Sequence, residues 1–181
     1  MTQKRSRRAV LGATGAGLAS LAGCLGVFQD DPESVDVDED AAWLTTPLTD
    51  VTTGEEFVIG EIDEPVFLHP FGEWCSNCRS QQGELADFYD RRGDEVTLVD
   101  ITIEEDEGPD LIRSHAEENG FEWRFAVAPE AFTGSLVDDF GTSVTNPPSS
   151  PVILRCPSGA TRSIPKIIGP DTLESELEEN C

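Results

Sequence analysis

Lysine is nearly missing from this chain: among 181 residues only Lys4 and Lys166 are lysines, and 12 Lys and Arg face 36 Asp and Glu, for a formal net charge of −24. All of the acidic side chains and only eight of the basic ones follow residue 24. Binding to phosphate backbones needs the opposite sign, so nucleic acid is disfavoured as a partner. Histidine is as scarce. His69 and His115 stand apart, and the five cysteines contain one Cys-x-x-Cys pair, Cys75 and Cys78, with no second. A structural zinc site takes four ligands, usually from two such pairs or from one pair and two spaced histidines, so the donors for one are lacking and no metal is expected. Internal repeats are absent too. The apolar run AVLGATGAGLASLAG, residues 9 to 23, is too short to span a bilayer comfortably.

That run follows a basic head made by Lys4, Arg5, Arg7 and Arg8, and together they have the shape of a signal peptide over residues 1–23. Within it SRRAVL resembles the twin-arginine export signal. LAGC, residues 21 to 24, resembles a lipobox, by which Cys24 becomes the mature N-terminus and carries lipid. A spanning anchor, or a cut signal without lipid, is the alternative. Residues 24–42 are acidic and hold little large apolar surface beyond Phe28, too little to offset the entropy of ordering, and read as a tether. Residues 43–181 then form one domain of ordinary size. The expected location is the extracytoplasmic face of the cell membrane. Acid-rich, lysine-poor composition resembles that of proteins from halophilic archaea, whose surroundings screen self-repulsion, although an ordinary acidic secreted protein also fits.

Along the domain, LTDVTTGEEFVIGEI (48–62) reads as a β-hairpin turning at Thr53-Gly54. EPVFLHPF is a buried strand that runs into the Cys pair, and Ser76 to Arg92 a helix ended by Gly93. EVTLVDITI (95–103) is a strand, and Pro109 opens a helix that stops at Asn119-Gly120. A strand over 121–127, a short helix in EAFTGSLVDDFG, a hairpin of PVIL and TRSIPKII about Ser158-Gly159, and a last helix capped by Asp171 complete the chain. This order describes an α/β domain: a central mixed β-sheet flanked by helices, with an N-terminal β-hairpin extension. Sites in such sheets lie at the carboxyl ends of strands, where the Cys pair stands.

A thiol couple needs a thiolate stabilised at a helix N-terminus and a second thiol about one turn on that closes back on it. Cys75 and Cys78 have that spacing. Free N–H groups and the helix dipole lower the pKa of Cys75, while Cys78 is expected to be the more buried and less acidic. Cys75 therefore attacks a substrate disulfide, and Cys78 resolves the mixed disulfide.

EWCSNCRS resembles the WCxxC site of the thioredoxin fold. With LTDVTTGEEF before it and a strand-initial proline after it, the stretch 44–180 resembles the membrane-anchored TlpA/ResA-type thioredoxin-like oxidoreductases. The resemblance implies an oxidoreductase without bound cofactor that acts on cysteine-containing client proteins. It is expected to act as a monomer and to exchange electrons with a membrane redox partner. It also places Trp74 beside the nucleophile as a substrate-facing shield, the alternative being a plain core aromatic. His69 falls where the family carries a buried acid or amide beneath the resolving cysteine. It is either the acceptor of the Cys78 proton or a structural histidine. A cis-proline facing the couple is implied as well. NPPSSPVIL offers Pro147, Pro148 and Pro151; Pro151, after Ser150, fits best, which makes both residues candidates for substrate binding, and Pro148 is the alternative. Asn77, where the family commonly has proline, departs from the pattern. His115, among Glu117 and Glu118, reads as solvated and silent.

The same fold would bring the hairpin turn and the end of the last helix to the pole opposite Cys75. A Cys156–Cys181 disulfide is thereby implied, against two free thiols. A rival class is a Cu(I) carrier holding the metal on Cys75, Cys78 and His69, since soft thiolates suit that ion. Carriers of this fold space their cysteines one residue wider and add a late histidine, and both features are missing.

Overall fold

The computed structural model describes residues 31–181. In chain order the elements are β1 (Glu33–Val35), α1 (Ala42–Thr45), β2 (Leu48–Thr49), β3 (Glu56–Phe57), β4 (Val66–Phe71), α2 (Ser76–Arg92), β5 (Thr97–Thr102), α3 (Pro109–Asn119), β6 (Arg124–Val127), α4 (Glu130–Phe140), β7 (Val152–Arg155), β8 (Thr161–Ile164) and α5 (Pro170–Asn180). Short 3-10 turns lie at Ile59–Glu61, Thr142–Thr145 and Pro147–Ser149. A six-stranded mixed sheet has the order β1-β8-β7-β4-β5-β6. Strands β4, β5 and β6 are parallel, and β7, β8 and β1 add to them antiparallel.

The parallel strands carry apolar side chains on both faces because both are covered. On one face Phe67, Phe71, Leu98 and Phe125 pack with Leu85 and Phe88 of α2, Ile112 and Ala116 of α3, and Leu173 and Leu177 of α5. On the other, Leu68, Val99, Ile101 and Ile153 pack with Trp43 and Leu44 of α1 and Phe132 and Leu136 of α4. The architecture is the α/β sandwich expected, with its N-terminal hairpin. That hairpin, β2–β3, is only two residues a side. Gly54 takes φ +79° in its turn, which glycine adopts without the steric penalty of a side chain. Asp50 ties the turn together, accepting from the Thr52 amide (2.9 Å) and hydroxyl (2.7 Å) and from the Thr53 hydroxyl (3.1 Å).

Two details depart from expectation. The acidic stretch read as a tether to residue 42 is ordered sooner. Glu33–Val35 extend the sheet against β8, and Arg162 holds the added strand, donating to Ser34 Oγ (2.7 Å) and Pro32 O (3.0 Å). Backbone pairing and one guanidinium supply what apolar burial does not. Asp171 does not cap α5. The helix starts two residues earlier at Pro170, where the fixed φ suits a first turn, and Gly169 is the N-cap. The signal-peptide segment and Cys24 lie outside the described residues. Among the described residues no helix is long and apolar enough to cross a membrane.

One irregularity of β4 prepares the site. Pro70 stands in a central strand, where a missing N–H normally breaks the ladder. The pairing of β4 with β7 ends at Leu68↔Ile153, so no partner on that side waits for the amide. The Pro70 carbonyl is left free instead and accepts from Ser150 Oγ (2.6 Å) and Lys166 Nζ (3.1 Å).

Candidate functional site

Beyond Phe71 the chain turns at Gly72 and enters α2 at Ser76, with Cys75 as the N-cap. Glu107, arriving from the loop before α3, accepts from the Glu73 amide at 2.7 Å and from the Thr102 hydroxyl, and Cys75 N–H donates to Gly72 O at 3.1 Å. Burial raises the Glu107 carboxyl above its ordinary pKa against these bonds. The short segment before the couple is thus fixed from two strands' ends.

Cys75 and Cys78 are joined in a disulfide with Cα atoms 5.2 Å apart. The Cys78 amide donates to Cys75 Sγ at 3.1 Å, so the first turn of α2 presents its unpaired N–H groups to that sulfur. Cys78 is not the more buried of the two, as had been expected. Both are 1% exposed within one apolar cluster. The asymmetry lies in their neighbours. Cys75 Sγ meets a helix N-terminus, whereas Cys78 Sγ lies 3.2 Å from Pro147 O and 3.5 Å from Lys166 Nζ.

Beneath the couple runs a buried polar network. His69, wholly buried, places Nδ1 2.7 Å from Asp100 Oδ1, and its Nε2 has no hydrogen-bond partner. Asp100 Oδ2 accepts from Gln82 Nε2 (2.8 Å) and Trp123 Nε1 (3.2 Å). Gln82 Oε1 in turn is 3.0 Å from His115 Nε2. This pattern assigns the Nδ1–H tautomer to His69 and Nε2–H to His115. Burial lowers the His69 pKa most strongly, Asp100 opposes it, and Lys166 lowers it further. Asp100 holds His69 Nδ1, and Nε2, the nitrogen whose lone pair could accept a proton, makes no hydrogen bond to Cys78 or to any other group.

His115 is not solvated. It is 5% exposed, set with Ile112 and Ala116 on the core face of α3 and against the rings of Phe71, Phe121 and Phe125. The acidic neighbours on its helix point the other way, and helical spacing separates the two faces.

The loop before β7 also differs from expectation. Ser150–Pro151 is trans, Lys166–Ile167 being the cis bond among the described residues. Ser150 is extended (φ −60°, ψ 135°), leads straight into β7, and spends its hydroxyl on Pro70 O. It and Pro151 are buried, so neither faces a substrate in this structure. The residues that meet the couple are Pro147, through its carbonyl, and Pro148, whose carbonyl accepts from Asn77 Nδ2 at 3.2 Å. The 3-10 turn Pro147–Ser149 sets them over the start of α2. Trp74 is 57% exposed beside Cys75, an apolar surface open to a partner. Among the described residues no group of three or more His, Cys, Asp and Glu is placed to hold a metal ion.

Cys156 and Cys181 form a second disulfide, Cα atoms 5.3 Å apart, at the ends of β7 and α5. Sequence reasoning did not assign a role at the site to Gln81, Gln82, Asp100, Glu107 or Lys166, and named Pro147 only as a cis-proline candidate. Two of these carried a signal: Asp100 interrupts an apolar parallel strand, and Lys166 is a solitary lysine within IPKII.

No family model matches the chain, and no curated protein does. Solved structures are similar. The thioredoxin domain of a thiol-disulfide oxidoreductase from Bacteroides vulgatus superposes with TM-score 0.58 at 17% identity, covering 72% of this chain and 91% of that one. A secreted Mycobacterium tuberculosis disulfide oxidoreductase homologous to E. coli DsbE gives 0.56 at 15%, covering 76% and 97%. StoA from Bacillus subtilis gives 0.53 at 19%, covering 71% and 92%. The fold is a thioredoxin fold.

Proposed function

We propose that this protein is a thiol–disulfide oxidoreductase that exchanges electrons with protein cysteines through Cys75 and Cys78. The observation that carries the reading is the Cys75–Cys78 disulfide with Cys75 as the N-cap of α2. In the reduced couple the helix N-terminus stabilises the Cys75 thiolate, which attacks a client disulfide, and Cys78 closes on Cys75 to release the reduced client. The exposed Trp74 offers the client an apolar contact at the rim. Similar solved structures include proteins described as thiol-disulfide and disulfide oxidoreductases, which supports the same chemistry. The proposed location is the extracytoplasmic membrane face, with lipid on Cys24. It rests on the basic head, the apolar run and LAGC. Clients and the membrane redox partner are then cysteine-bearing proteins of that compartment, and no bound cofactor is needed.

Trapping tests the assignment. Cys78→Ser is expected to accumulate mixed disulfides with client proteins and Cys75→Ser to accumulate none, read on non-reducing gels. Equal trapping by both variants overturns the roles. Tight Cu(I) binding with no disulfide exchange by the native couple would favour the carrier class instead.

A further inference from the structure

Lys166 is the one lysine of the described residues, and it is partly buried. A lysine ammonium is seldom buried without an anionic partner against it. Here the contacts of Nζ are two carbonyl oxygens, Pro147 O at 2.9 Å and Pro70 O at 3.1 Å, and one sulfur, Cys78 Sγ at 3.5 Å. The count of hydrogens gives this arrangement its meaning. A neutral amine has two N–H bonds and one lone pair. The two carbonyls take the two N–H bonds, and the lone pair is left toward Sγ. A protonated amine keeps both carbonyl bonds and points its third N–H at the same sulfur. Both protonation states are satisfied in one geometry, and they differ only in what faces Cys78.

The amine is held there from several elements. Gln81 of α2 bonds reciprocally with the backbone of Ile168, Nε2 to Ile168 O at 3.0 Å and Ile168 N–H to Oε1 at 2.8 Å, which clamps the segment 166–168 to the helix of the couple. Pro70 offers its carbonyl because the pairing of β4 with β7 has ended before it. Ser150 bonds the same carbonyl and lies 3.2 Å from Pro147 O, fixing the two acceptors relative to each other.

We propose that Lys166 is the proton-exchange partner of Cys78: its neutral amine takes the Cys78 thiol proton during resolution, and its ammonium returns one when the couple is reduced. The inference rests on the oxidoreductase reading and names the group that serves its second step. In that step the Cys75–S–S–client bond is attacked. The Cys78 S–H proton passes to Lys166 Nζ, the Cys78 sulfur forms its bond to Cys75 Sγ, and the Cys75–client S–S bond breaks. The electron pair leaves with the client sulfur, which is protonated from Lys166 or water. The couple is oxidised and the client reduced by the same two electrons. His69 Nε2 makes no hydrogen bond with Cys78, and the Pro147 carbonyl, though near Cys78 Sγ, is too weak a base to take its proton.

The surroundings set the amine near its working range. Burial pushes Lys166 down to about 7, with Asp100 opposing it. The titratable groups that bear on it are Cys78 on α2, Asp100 on β5 and His69 on β4, the last of which Lys166 itself depresses. An acceptor with that value is neutral in useful amount near pH 7 and strong enough to take a thiol proton.

The test follows the full-length protein, with Cys75–Cys78 reduced, as it reacts with oxidised glutathione. Samples are acid-quenched, and mass spectrometry reads the Cys75–glutathione adduct. Adduct formation reports attack, and adduct decay reports resolution. Lys166→Met is expected to slow decay on the order of 10²-fold at pH 7 and leave formation within about twofold. Lys166→Arg, which keeps a charge that cannot be shed, is expected to stay slow. Wild-type decay in Lys166→Met, or full rescue by arginine, overturns the proposal. If no adduct forms at Cys75 even in Cys78→Ser, the oxidoreductase reading itself falls. A second readout needs no variant in the site. In Lys4→Arg protein Lys166 is the sole lysine, so ε-¹³C lysine labelling gives one NMR signal. Its titration midpoint is expected to move upward when the couple is reduced, because the Cys78 thiolate favours the ammonium. A midpoint indifferent to the redox state overturns the proposal as well.

Discussion

Gln82 joins the two buried histidines' neighbourhoods: its Nε2 donates to Asp100 Oδ2 at 2.8 Å while its Oε1 accepts from His115 Nε2 at 3.0 Å. One amide thereby satisfies an acceptor on β5 and a donor on α3, from the helix that carries the couple. Replacing it by leucine keeps the volume and orphans both partners, although Asp100 Oδ2 retains Trp123. An orphaned buried polar group costs about 1–3 kcal/mol. Gln82→Leu is therefore expected to lower the unfolding free energy by roughly 2–4 kcal/mol with an unchanged m-value, measured by urea denaturation. A loss within about 0.5 kcal/mol, the size of an ordinary surface substitution, would deny the bridge any structural weight.

That network marks the limit of what the sequence discloses. The elements around it were legible: α2 begins at Ser76 beside a cysteine cap and ends before Gly93, and α3 begins at Pro109 and ends at Gly120, whose φ of +69° suits the left-handed stop. The cysteine couple was legible for the same reason, since three residues of separation and a helix start are local facts. Asp100, Gln82, His115 and Lys166 are not local. Between 18 and 96 positions separate the partners in the side-chain bonds they form, and each alone looks like a solvated side chain. The sheet brings them together, and β4 with β5 aligned in parallel sets His69 beside Asp100. His115 shows the failure most plainly, because two glutamates on its helix suggested solvent while the apolar face was set by Ile112 and Ala116.

Burial of the ionisable groups gives stability a definite pH dependence. His69 and His115 both have pKa values lowered below 6.5, chiefly by desolvation. Between those lowered values and 6.5 the unfolded chain binds protons that the folded chain refuses, so stability rises with pH across that window and is lost as pH falls through it. Lys166 acts likewise between about 7 and its ordinary 10.5, where the folded chain again holds fewer protons. Urea midpoints of the oxidised protein, taken in high salt to screen its acidic surface, are expected to climb from pH 5 to 9. His69→Leu should flatten the lower part of the climb and Lys166→Met the part above pH 7. Stability greatest near pH 5 and falling toward 9 would contradict the buried neutral states.

The Cys156–Cys181 bond lies apart from the redox couple. Cys156 is fully buried just before the turn into β8, its amide donating to Ala160 O at 2.8 Å, while Cys181 follows the last turn of α5 and is exposed. The bond pins the end of α5 to the sheet, as Arg162 does one turn earlier by donating to Glu176 Oε2 at 3.1 Å. It closes a loop across 25 positions, and restricting the unfolded chain to that extent stabilises by roughly 3 kcal/mol on the chain-entropy account. The exposed partner is the one to change, since Cys181→Ser opens no cavity whereas a change at Cys156 would. For a domain of this size the loss corresponds to a fall in Tm of roughly 6–12 °C, with Cys75–Cys78 exchange kinetics unaltered. Peptide mapping of unreduced protein supplies the covalent check: a linked peptide containing Cys156 and Cys181 should survive mild reduction that opens Cys75–Cys78. An unchanged Tm in Cys181→Ser, or two alkylatable thiols at these positions in the unreduced protein, would remove the staple from the account of this fold.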